Sequence, residues 1–150
     1  MGNQVIDSTE MLHPILADCI ERIKESVIHK HSMPFKVFET GRSHERHQTL
    51  LSKGRTQNVF SKHLFDLDAN PPLYSVAVDY VFYDGKWSWN LRDQTILSWY
   101  VLFGNLVLDC CPELKWNGNS RKSTNYTHFE LRESTVIDNI EKYPCVLHLS

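Results

Sequence analysis

Long apolar runs are absent from this 150-residue chain. No stretch approaches the roughly 20 residues that a membrane helix requires, so membrane insertion is not expected. An excess of basic charge is absent too. The chain has 16 Lys and Arg against 18 Asp and Glu, a formal net charge of -2. The basic residues form no run, which leaves no electrostatic footprint for nucleic acid. No C-x-x-C pair occurs among Cys19, Cys110, Cys111 and Cys145, and adjacent Cys110 and Cys111 are poorly placed to share a metal. They read as free, buried thiols. Met1 to Glu10 is polar, without the basic start and apolar stretch of a secretory signal, so synthesis in the cytoplasm is expected. Repeats and low-complexity segments are also missing.

What is present suits one globular domain. Hydrophobic residues make up 41%, and seven Phe, six Tyr and four Trp can fill a core. Residues 1–11 read as a polar leader and 12–150 as the domain. Leu12, Ile15, Leu16, Cys19, Ile20, Ile23 and Val27 follow helical spacing, with Pro14 suited to the first turn. Phe35 to Glu39 reads as a strand. Ser43 caps a helix that runs to about Lys53 and stops at Gly54. Residues 55–75 are irregular, broken by Asn70-Pro71-Pro72. Val76 to Tyr83 is apolar on both faces and reads as a central strand. Asp84-Gly85 turns it back through Trp87 and Trp89. Asp93 caps a long helix with a buried stripe of Ile96, Leu97, Tyr100, Val101, Gly104, Val107 and Leu108. Leu114 to Trp116 and Thr127 to Leu131 read as strands flanking a polar loop, and Ser134 as the cap of a last short helix. Helices and strands mixed without regular alternation predict an α+β fold with a small, mainly antiparallel sheet and flanking helices.

Asp79 is the one charge on the central strand, and a buried carboxylate needs a partner or a metal. His63 precedes that strand, and His128 lies on a later one. Two imidazoles and a carboxylate form a common catalytic zinc set with a fourth position open to water. Spacing alone leaves alternatives open. With eight His in the chain a chance set is easy, and Asp79 can instead pair with an Arg or Lys while both His are structural. Asp66 and Asp68 are further carboxylates between His63 and Asp79.

The words around these residues carry more information. Ser61-Lys62-His63, Ser75-Val76-Ala77-Val78-Asp79 and Thr127-His128-Phe129-Glu130-Leu131 resemble, in order, the S-x-H, S/G-x-A-x-D and H-F-E of the zinc D-Ala-D-Ala carboxypeptidase family. Within it they are most similar to the L-alanyl-D-glutamate endopeptidase branch found in phage endolysins. Gly41-Arg42-Ser43, Arg46, Gln48, Leu51, Gly54, Tyr83-Asp84-Gly85-Lys86 and Trp89 add to the resemblance, which runs from Leu12 to about Leu131. It implies a zinc cofactor held by His63, Asp79 and His128, with Asp79 preferred over Asp66 and Asp68. It implies Arg42 as a substrate-binding guanidinium and Ser61 as a support for the His63 loop. The implied activity is hydrolysis of bacterial cell-wall peptides. Synthesis would occur in a host cytoplasm and action at the wall, with other phage particle proteins as further partners.

The sequence departs from that pattern in two places: the gap from His63 to Asp79 is long, with an inserted Leu64 to Tyr74 segment that carries Asp66 and Asp68, and the carboxylate before the late His is missing. The family usually has Asp or Glu three residues before the late His, as general base; here that residue is Asn125, which cannot accept a proton. Asn119 likewise stands where relatives tend to have Asp. Glu130, on the same strand face as His128, is the nearby carboxylate, either as a catalytic base beside Asn125 or as a support for the metal ligands. The resemblance therefore leaves two expectations: a peptidase weakened at residue 125, or a metal-binding wall-binding or structural component of a phage or secretion particle.

Overall fold

The computed structural model describes residues 4–55, 61–121 and 124–145. Helix α1, Pro14–Ile23, opens with Pro14, and His13 closes its first turn because Nδ1 accepts a hydrogen bond from the Ile15 backbone N–H. It buries Leu16, Cys19, Ile20 and Ile23, then continues as a wider π-helical stretch, Lys24–His29, that keeps Val27 on the buried side. Nothing in the local sequence explains the wider turn. Strand β1 is Phe35–Glu39. Helix α2, His44–Ser52, is capped by Ser43, whose hydroxyl accepts from Arg46 N–H. Gly54 follows with φ of 67°, a left-handed conformation that favours glycine.

The central strand β2, Ala77–Tyr83, turns into the two-residue β3, Trp87–Ser88. Trp89 lies just outside the pairing and is exposed. Asp93 accepts from Thr95 and Ile96 N–H and starts α3, Gln94–Cys110. β4 (Leu114–Trp116), β5 (His128–Leu131) and α4 (Glu133–Asp138) complete the order. The main path of the sheet is β1-β2-β5-β4, with β3 also on β2, and every pair is antiparallel. This is the α+β fold that the sequence predicts. Among the described residues no helix is long and apolar enough to cross a membrane, and all four cysteines are free.

Strand alternation gives the sheet two unlike faces. One carries Phe35, Val78, Tyr80, Phe82, Leu114, Trp116, Phe129 and Leu131, buried with α1 and α3. Phe35 stacks on Phe103 at 4.2 Å, and Trp116 stacks on Phe129 at 6.0 Å. A side chain at Gly104 would overlap the Trp116 indole, so this glycine allows α3 to approach the sheet. The other face carries Ala77, Asp79 and Val81 from β2, opposite Glu130, His128 and Lys36.

Two expectations change. Val101 is 41% exposed, and Phe103 is buried in the stripe instead. Tyr100, Phe103, Gly104 and Val107 form the i, i+3, i+4, i+7 row that meets the sheet, and Val101 falls outside it. The last helix starts two residues earlier than Ser134 would allow as its cap. Arg132 occupies the cap position without a side-chain bond, and Ser134 lies inside the helix. Within the stretch read as a leader, the backbone carbonyl of Ile6 accepts from Thr40 N–H at 2.7 Å, and Met11 is buried.

Candidate metal centre

Asp79 and His128 are brought together by sheet register. They are direct partners across β2 and β5, on the face turned away from α1 and α3. His63 enters from the irregular segment before β2, which is fixed at two backbone points. Arg42 N–H donates to His63 C=O at 2.7 Å, and Val76 N–H donates to Lys62 C=O at 3.0 Å. The resulting distances are short: His63 Nε2 lies 3.4 Å from Asp79 Oδ1, and His128 Nδ1 lies 3.3 Å from the same oxygen. One donor atom from each residue lies within 4.8 Å of the other two.

These spacings suit a metal. Around a tetrahedral zinc with bonds of about 2.0–2.2 Å, neighbouring donor atoms sit about 3.3–3.5 Å apart. The two Asp79 separations fall in that range. Asp79 Oδ1 is buried and accepts no hydrogen bond, which is costly for a carboxylate oxygen unless a cation meets it. The donor set itself, two imidazole nitrogens and a carboxylate oxygen, is chemistry that zinc favours.

The surroundings orient each ring. His63 Nδ1 is 3.2 Å from Thr40 C=O, which can only accept, so Nδ1 donates there and Nε2 faces Asp79. Ser75 hydroxyl also donates to Thr40 C=O at 2.9 Å, holding that carbonyl in place. His128 presents Nδ1 to Asp79 and turns Nε2 toward Glu130 Oε2 at 3.7 Å. The second Glu130 oxygen is 3.1 Å from Lys115 Nζ. Electrostatics follow from this arrangement. Burial opposes charge on Asp79, yet the two imidazoles hold its carboxyl well below the usual range. Burial likewise opposes charge on His128, but Asp79 and Glu130 raise it to about 9. Burial opposes charge on Glu130 as well, and His128 with Lys115 lowers it to about 2.

The chain shares its fold with a solved L-Ala D-Glu endopeptidase. That structure, ChiX of Serratia marcescens, superposes with a TM-score of 0.61 at 22% sequence identity, over 89% of this chain and 93% of that one. The likeness is one of fold. No protein-family profile matches the chain, and no curated protein matches it by sequence.

The other sequence-derived candidates take distinct places. Arg42 is half-buried and bonds Glu39 through Nε at 3.2 Å and Nη2 at 2.6 Å. Ser61 hydroxyl accepts from His63 N–H at 3.2 Å and from Arg42 Nη1 at 3.4 Å, so it links the two segments. Glu130 stands behind His128, on the ring nitrogen remote from Asp79. Asn125 is exposed, and its carbonyl oxygen accepts from Thr127 N–H and hydroxyl at 3.1 and 2.9 Å. Among the described residues no hydrogen bond joins it to His63, Asp79 or His128. Asp66 accepts from the N–H groups of Asp68 and Ala69, forming a turn of its own rather than joining the cluster. Sequence reasoning gave no role to Thr40 or Glu39, and it took Arg46 only as part of the resemblance. The spacing of Arg42 and Arg46 after a strand-end Glu was visible, but the burial of that carboxylate was not.

Proposed function

We propose that this chain is a zinc-dependent peptidase that cleaves bacterial cell-wall peptides, in the manner of an L-alanyl-D-glutamate endopeptidase. The observation that carries this reading is the His63–Asp79–His128 cluster, whose donor separations suit zinc, placed on a fold shared with an L-Ala D-Glu endopeptidase. His63, Asp79 and His128 would hold the ion, which when bound supplies Lewis-acid activation of a water and of the scissile carbonyl. Thr40 and Glu130 keep the two rings aimed at Asp79. Arg42 stands beside the His63 segment and offers a guanidinium to a substrate carbonyl or carboxylate. Production in a host cytoplasm, action at the wall and association with phage particle proteins rest on the sequence resemblance.

Proton transfer is the weak step in this reading. Asn125 can orient water but cannot carry a proton, and Glu130 is engaged with His128 and Lys115. General acid–base help is worth about 10²–10⁴ in rate, so turnover is slow as the chain stands. Asn125 also supports the second reading, a metal-binding wall-binding component with little catalysis.

Metal analysis paired with digestion of purified peptidoglycan tests both. One zinc per chain and slow release of peptide fragments are expected, with faster release from Asn125→Asp. His128→Ala should lose the zinc; retention of full metal content in that variant would sink the assignment. One zinc with no fragment release, even from Asn125→Asp, favours the wall-binding reading.

A further inference from the structure

Glu39 ends β1 as one of the few buried carboxylates, 2% exposed. Both of its oxygens are engaged by arginines. Oε1 takes Arg42 Nε and Nη2 at 3.2 and 2.6 Å, and Oε2 takes Arg46 Nε at 3.1 Å. The two arginine side chains are only 11% and 17% exposed. One negative charge therefore faces two positive ones in a region largely withdrawn from water. Among the described residues no second carboxylate pairs with either guanidinium. A partly buried excess charge is costly unless an anion meets it.

The location decides which anion. A β-bulge between Val37 and Glu39 sets Glu39 opposite Asp79, and cross-strand partners share a face of the sheet. The same cluster is tied to His63, because Arg42 N–H donates to its carbonyl and Ser61 bridges both segments. Arg46 reaches Glu39 through Nε alone, so that bond leaves its terminal N–H groups uncommitted to Glu39. A guanidinium presents paired donors that match a carboxylate.

We propose that Arg42 and Arg46, held in place by Glu39, form a receptor for a free carboxylate on the residue that leaves when the peptide is cut. Glu39 is a positioning residue: it fixes two guanidiniums beside the metal-binding cluster and leaves one positive charge for the substrate. Only the identity of the ligand rests on the peptidase reading. The receptor makes the site selective for wall peptides in which the D-glutamyl carboxylate beside the scissile bond is free, and against those in which it is an amide.

The experiment uses two short peptides that differ only in that group, acid or carboxamide, with the zinc-loaded full chain. The acid should be cleaved with a kcat/KM at least tenfold higher, chiefly through KM, since charged hydrogen bonds are the stronger ones. Arg46→Gln should bring the acid down to the level of the amide. Glu39→Gln should also shrink the ratio, and Glu39→Asp should recover part of it. A general loss of structure would lower both peptides together and leave the ratio intact. Equal cleavage of the two peptides by the wild-type chain overturns the proposal, as does a proportional loss on both in Arg46→Gln. If Glu39→Gln does not fold, the wild-type ratio and Arg46→Gln still decide. If neither peptide is cleaved, calorimetric titration with both separates the readings. Tighter binding of the acid that depends on Arg46 keeps the receptor and removes the peptidase reading. Equal binding, or none, removes both.

Discussion

Val78 and Asp79 are neighbours on β2, yet they meet opposite surroundings. Val78 joins the aromatic and aliphatic cluster packed between the sheet, α1 and α3. Asp79 points to two imidazoles, with Glu130, Lys115 and the Glu39 cluster on the same side. The first face gains stability simply by leaving water. The second gathers charges that would be unfavourable alone and that balance only when each partner is in place. Stability and chemistry are thus separated by the thickness of a single strand. Substitutions on the two faces should fail in different ways.

The largest expected effect is on the packed face. Phe129 is fully buried and touches Tyr80, Phe103 and Trp116. Phe129→Ala should lower unfolding free energy by about 3–5 kcal/mol, measured by urea denaturation of zinc-free protein. The added stability on supplying zinc should persist in that variant. Its disappearance would show that the faces are not separable.

A smaller effect is expected at Asp79. Zinc at a hundred times its Kd should stabilise the wild-type chain by about 2.7 kcal/mol, by mass action on the folded state. Asp79→Asn should respond to zinc hardly at all while its zinc-free core remains folded. Thermal scans with and without zinc read this directly, and an equal zinc response in both proteins would place the metal elsewhere.

The smallest effect concerns protons. In the zinc-free chain Asp79 and Glu130 raise His128 to about 9 despite its burial. Its folded value lies above the ordinary 6.5, so its contribution to stability is complete below about pH 6.5 and is lost as pH rises through about 9. Zinc needs the neutral ring, so binding at pH 7 should expel about one proton, equivalent to about 1.4 kcal/mol of binding per pH unit. Titration calorimetry in buffers of different ionisation heat counts that proton. A count of zero would mean that His128 is already neutral before the metal arrives.

The packed face was easy to read from the sequence because its periodicities are simple. The apolar run of residues 76–83 and the helical rows of α1 and α3 point to it, and the errors at Val101 and Phe103 fall on a helix whose apolar residues outnumber its buried ones. The His63–Asp79–His128 cluster was legible for another reason. Asp79 is the exception in an apolar strand, and the short words around His63 and His128 resemble a known family. Period-two reading fails at Glu39, which it groups with Phe35 and Val37 on the packed face. The bulge removes Glu39 from that series, and a bulge has no marker in this stretch. Asn125 was legible as a departure, but the turn that ties it to Thr127 depends on local backbone geometry that residue types alone do not fix.

The bulge also bears on how this strand can be inherited. Phe38 is the residue without a partner in the pairing; its ring lies against Trp87 and Trp89 at 5.2 and 5.1 Å. Removing it would restore an unbroken ladder and still leave Glu39 across from Asp79, because the pairing on either side is already in step. Phe38 thus behaves as an insertion that brings an aromatic contact at the sheet edge and leaves the charged end of β1 undisturbed. Such a residue can come or go in one genetic event. Alignments of chains with this fold should open a gap here, and the shift in numbering that follows should not be mistaken for a change in the residues that surround Asp79.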